Sequence, residues 1–157
     1  MVLLVLMWGG FIVCGLLMGC VSPTAPSDGE RFTGLSAAQL AQANAWFDQV
    51  RVCADAPTAE PQGVKIIFVA GKTDAAFPDG RPSFVCPEGN YTGGEVGGCL
   101  VNHSRMYVLD WSMGPGWSES FGHESVHLAR WLATGNDDAK HAGPYWVNGR
   151  ACQAGLR

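Results

Sequence analysis

Ser118-Glu119-Ser120-Phe121-Gly122-His123-Glu124-Ser125-Val126-His127-Leu128-Ala129-Arg130-Trp131-Leu132-Ala133 is the stretch on which the fold turns. It reads as a helix, stopped by Thr134-Gly135-Asn136, with Gly135 suited to the left-handed position just past a helix end. On a helix, His123 and His127 lie one turn apart on the same face, so both imidazoles can reach one ion. Glu124 lies beside them, where a carboxylate can hold and deprotonate a metal-bound water. The chain has only four histidines, and two fall at this spacing around a glutamate. The pattern predicts a zinc-binding helix; the plainer alternative is a surface helix that carries two histidines.

Working outward, residues 105–110 and Leu100-Val101 read as strands, with Trp111-Ser-Met-Gly-Pro-Gly-Trp117 as the loop into the helix. Residues 64–70 form the best strand candidate, rich in β-branched side chains and followed by Gly71. Residues 82–86 are a short extended piece, and residues 145–147 a further short element. Upstream, residues 35–54 read as a helix with Ser36 as N-cap. Its apolar residues Leu40, Ala43, Trp46, Phe47 and Val50 recur at helical spacing, and Pro57 and Pro61 follow it. Helix, strands, helix is an α+β order: a small mixed sheet packed on a metal-binding helix. Trp111, Trp117, Trp131, Tyr145 and Trp146 crowd around the motif and are read as core or half-buried packing residues, Trp131 above all.

The first 19 residues carry no charged side chain and match a membrane span in length. Leu17-Met18-Gly19-Cys20 resembles the lipobox of bacterial lipoproteins, in which the signal segment is cut before the cysteine and that cysteine is acylated. The resemblance implies a signal peptide over 1–19, a flexible tether over 20–34 and one domain over 35–157. It also implies attachment to a lipid membrane through acylated Cys20. The expected location is the bacterial cell envelope, outside the cytoplasm, with Val21 after the cysteine typical of outer-membrane retention. An uncleaved transmembrane anchor is the alternative.

The formal net charge is −4, with ten Lys and Arg against fourteen Asp and Glu and no basic stripe, which argues against a nucleic-acid partner. Beyond Cys20 remain Cys53, Cys86, Cys99 and Cys152, an even set that suits an oxidising compartment. Three pairings exist. Cys86 with Cys99 is favoured because it closes a Gly-rich loop, leaving Cys53 with Cys152 to tie the first helix to the C-terminus. A four-cysteine zinc site is disfavoured because no Cys-x-x-Cys pair is present.

His123-Glu124-Ser125-Val126-His127 resembles the zincin signature of zinc metallopeptidases. With Gly135-Asn136-Asp137-Asp138-Ala139-Lys140-His141 it also resembles small bacterial lipoproteins that pair the signature with an Asp-rich turn and a histidine. A looser likeness is to the aspzincins, in which a Gly-Thr-x-Asp segment supplies an aspartate ligand; the threonine is lacking here. The resemblance implies a minimal zincin-like fold with residues 105–110 as an edge strand that aligns an extended peptide or protein substrate.

A catalytic zinc takes three protein ligands. Glu124 is the last glutamate in the chain, so no downstream glutamate completes the set. His141 is the leading third ligand, with Asp137 and Asp138 as alternatives for that place. One of these aspartates, or Asp110, is otherwise expected to orient a ligand imidazole. The expectation is zinc-dependent peptide hydrolysis with Glu124 as general base and Tyr145 as a donor to the oxyanion. The competing reading is a non-catalytic structural or binding lipoprotein with a closed or vestigial metal site.

Overall fold

Ser36 starts the first helix through a reciprocal cap. Its hydroxyl accepts from the Gln39 amide while the Gln39 side chain accepts from the Ser36 amide, so two otherwise orphaned donors are satisfied. In the computed structural model, which describes residues 30–72, 82–88, 95–110, 116–146 and 152, this helix is α1 (Ala37–Cys53). Ala43, Trp46, Phe47 and Val50 are buried along one face of it. The second helix, α2 (Gly116–Thr134), contains the His-Glu-Ser-Val-His stretch and ends where Gly135 turns left-handed, with φ of 73°.

The described residues also form six strands: β1 (Phe32–Thr33), β2 (Val64–Val69), β3 (Phe84–Val85), β4 (Glu95–Val96), β5 (Gly98–Val101) and β6 (Arg105–Leu109). Four form a mixed sheet in the order β1-β2-β6-β5; β1, β2 and β6 run parallel and β5 runs antiparallel at the edge. β3 and β4 make a separate antiparallel pair. The described part is thus a small α+β domain with two helices, a mixed four-stranded sheet and two disulfides. Phe32 lies within the span read from the sequence as tether, yet it is fully buried against Phe47 and Phe121.

The position of β6 differs from the expectation of an edge strand. Met106 and Val108 point into the core shared with both helices, while Tyr107 and Leu109 join a second cluster with Phe84, Cys99 and Val101. A strand that buries side chains on both faces belongs inside a sheet, and its nearly unbroken apolar run is the sign of it. The edges are β1 and β5. β5 meets β6 through a tight turn whose central residues, Asn102 and His103, are both left-handed at φ of 49° and 54°. Both hairpin strands therefore follow from that turn's geometry.

Cys86 is bonded to Cys99, which joins the β3–β4 excursion to the edge strand. Cys53 is bonded to Cys152, across a sequence separation of 99, and ties the end of α1 to the C-terminal segment. Each such crosslink typically contributes about 2–4 kcal/mol by restricting the unfolded chain. Residues 1–29, including Cys20 and the lipobox-like segment, lie outside the described residues. Among the described residues no helix is long and apolar enough to cross a membrane.

Helix α2 sits unusually close to the edge strand. A Cβ on Gly98 would lie 2.9 Å from Glu124 Oε1, 3.0 Å from its Cγ and 3.2 Å from Ser120 Cβ, whereas at Gly97 it would meet nothing within 4 Å. Gly98→Ala is therefore expected to cost about 1–3 kcal/mol through overpacking, and Gly97→Ala less than about 0.5 kcal/mol. Urea denaturation midpoints of the two variants check this; equal midpoints would show that the helix can yield.

Candidate metal centre

Two polar side chains one turn apart seat α2 on the sheet. Ser120 Oγ accepts the Leu109 amide at 3.1 Å, and the Glu124 carboxyl accepts the Leu100 amide on the edge strand. This orientation leaves His123 and His127 on the side of α2 that faces the following loop. Beyond Gly135 the chain turns sharply, using Asn136 and Asp137 side chains to accept amides two residues on, at 2.9 Å and 3.2 Å. Such local bonds are what Asn and Asp offer a turn. Asp138 and His141 then adopt left-handed backbone at φ of 52° and 54°, and the His141 amide donates to the Asp138 carbonyl at 2.8 Å. The return carries His141 back over α2.

His123, His127 and His141 converge there. Their ligand atoms all lie within 4.8 Å of one another; His127 Nε2 is 3.3 Å from His123 Nε2 and 3.1 Å from His141 Nε2. Three nitrogens on a tetrahedral zinc at 2.0–2.1 Å would be about 3.3–3.4 Å apart. The His127 Nδ1 lies 2.7 Å from the Asp137 carbonyl oxygen. A carbonyl only accepts, so Nδ1 holds the proton and Nε2 presents its lone pair to the centre.

The surroundings keep His123 and His127 neutral. Burial lowers the His123 pKa to about 3, with His127 and His141 adding to the effect. Burial also lowers that of His127, against the opposing pull of the Asp137 carbonyl. Neutral imidazole is the form that binds metal. The indole of Trp146 packs against all three rings, with centroids 5.0, 4.9 and 4.2 Å from His123, His127 and His141. The donor set and its spacing are compatible with coordination of a metal ion.

The aspartates occupy other places. Asp138 accepts the amides of Ala142 and Gly143 at 3.1 and 2.9 Å, the Trp146 indole N–H at 2.6 Å and the Tyr145 phenol. Burial opposes its ionisation, but these four donors outweigh it and draw the carboxyl down to about 2. Asp137 turns its carboxylate to His103 Nε2 at 3.4 Å and gives its carbonyl to His127. Asp110 closes β6, its amide donating to the Val69 carbonyl. Tyr145 has its phenol on Asp138 and its ring under the Arg130 guanidinium, 5.1 Å away. Trp131, expected as a core or half-buried packing residue, is 39 % exposed and stacks on His103 at 4.2 Å. Sequence reasoning missed the parts played by Trp146, Ser120 and Gly98. For Trp146 the available signal was its place five residues after His141.

No protein-family model, curated protein or solved structure matches the chain. With that, the zincin and aspzincin resemblance does not extend to membership of either family. The expectation of a zinc metallopeptidase is corrected as well. The group that could hold a metal consists of three imidazoles, and the residue midway between His123 and His127 is Ser125, fully buried and without a carboxylate to offer. Glu124, the carboxyl of the pentapeptide, is buried and bonded to the edge strand, and burial pushes it up to about 8 despite the Leu100 amide. At neutral pH it is mostly protonated in the metal-free chain, and a protonated carboxyl is no base. These findings favour a metal site without catalysis over hydrolase chemistry. The descriptions as hydrolase, metalloprotease, lipoprotein, signal-peptide or membrane protein find no support from relatives either.

The two buried groups tilt stability in opposite directions with pH. Unfolded, His123 takes up a proton near 6.5, but folded only near 3, so the unfolded state holds more protons in that window and stability falls as pH drops through it. Glu124 keeps its proton to about 8 when folded but releases it near 4.5 when unfolded, so its contribution is lost as pH rises from about 4.5 to about 8. In urea titrations of the metal-free protein, His123→Gln should flatten the acid limb and Glu124→Gln the slope between about pH 4.5 and 8. Slopes that match the native protein would overturn these assignments.

Proposed function

We propose that the chain is an extracytoplasmic metal-binding domain in which His123, His127 and His141 hold one zinc ion in a non-catalytic site. The observation that carries this reading is the convergence of three Nε2 atoms, with two of the separations at 3.1 and 3.3 Å. His127 donates from Nδ1 to the Asp137 carbonyl, so its Nε2 lone pair faces Nε2 of both other rings and can accept a proton from one of them or share a cation with both. Three imidazoles form a borderline donor set that suits zinc. Bound there, the ion would join α2 to the loop that follows it and stabilise the fold. The two disulfides support placement outside the cytoplasm, where such bonds persist.

A ligand that binds only the folded chain at 100 times its Kd adds about 2.7 kcal/mol of stability. Zinc is therefore expected to raise the thermal midpoint by several degrees, with one ion per chain by elemental analysis, and chelation to reverse the shift. His141→Ala should lower zinc affinity by at least about 10-fold. A protein that stays metal-free in excess zinc and melts at the same temperature would refute the site.

A further inference from the structure

We propose that Asp138 is the positioning residue of this metal site, building the loop that presents His141 before any metal arrives. The inference rests on the metal-site reading above and names the residue on which the third ligand depends. Asp138 does not face the imidazoles with a vacant oxygen. Oδ1 takes the Ala142 amide, and Oδ2 takes both the Gly143 amide and the Trp146 indole. Its own carbonyl takes the His141 amide. His141 is thus bonded at its backbone to Asp138, and the next two amides are bonded to the Asp138 side chain.

The indole donor leads to the site itself. The indole whose N–H is fixed 2.6 Å from Asp138 is the ring that packs on His123, His127 and His141. One carboxylate therefore sets both the turn that carries the third ligand and the aromatic wall behind all three. Gly143 completes the arrangement, since a Cβ there would collide with the Tyr145 ring. His141 is exposed, so packing of its own side chain does little to hold it. A loop ordered in advance spares metal binding the cost of ordering it.

Cobalt(II) titration followed by visible absorption, alongside competition with a chelator, tests this in the native protein, Asp138→Asn, His141→Ala and the double variant. Asparagine keeps one oxygen for the amides but sets an NH2 group among donors. Asp138→Asn is expected to weaken cobalt binding about 10–100-fold and to lose the intense bands of a tetrahedral ion. The double variant should bind no more weakly than His141→Ala alone, because both changes remove the same ligand. Trp146→Phe retains an aromatic ring but no N–H donor, and should show a smaller loss with the same non-additivity; it serves as the test if Asp138→Asn does not fold. Native-like affinity in the folded variants, or losses that add fully to that of His141→Ala, would overturn the positioning role alone. Failure of the native protein to bind cobalt or zinc would overturn the metal-site reading and this inference together.

Discussion

Ser120 and Glu124 bond to sheet amides that would otherwise be unpaired, and the placement of the remaining elements depends on that contact. Leu109 and Leu100 donate to side chains of a helix, so α2 is held by directed bonds as well as by its apolar face. Gly98 permits the approach because it has no Cβ to hold the helix off. Phe121, between the two polar residues, fills the core against Phe32, Trp46 and Trp117. Once α2 is fixed in rotation and depth, the face that bears His123 and His127 is fixed too. A buried carboxyl that accepts a hydrogen bond while protonated is costly to expose and costly to ionise, which makes Glu124 a stringent spacer between helix and strand.

Seen from the loop side, the same economy of residues recurs. A short stretch supplies a ligand, a carboxylate that orders the turn, a carbonyl that orients His127, and an indole that closes the rear of the cluster. The arrangement is polar within and aromatic behind. Burial penalises the charged forms of His123 and His127, and at His127 it outweighs the pull of Asp137 and Asp138.

Much of this was legible in the residues. Ser36 announced α1, the apolar spacing gave its buried face, and Gly135 marked the end of α2. The two histidines at helical spacing and the later His141 pointed to one centre because helix geometry constrains where their side chains go. What could not be read were relations across long separations. The nearly unbroken apolar run of β6 marks an inner strand, but which strand covers it depends on pairing that no local stretch reveals. Nor does the pentapeptide reveal that Glu124 turns to a strand amide; the same letters would serve a base on water or a spacer against a sheet. The apolar bulk of Trp131 pointed to packing, but its partner, the His103 ring, comes from a distant turn.

The bond between Cys53 and Cys152 alters what kind of segment the histidine loop is. A loop held on one side only opens at little cost. Here Cys152, past that loop, is fastened to the last turn of α1, on a helix whose Ala43, Trp46, Phe47 and Val50 face the core. The segment that holds His141 and Trp146 is therefore closed at both ends, by α2 on one side and the crosslink on the other. Its amide exchange should follow the opening of the whole domain more than the loosening of a tail, so the lifetime of the centre is tied to that of the fold.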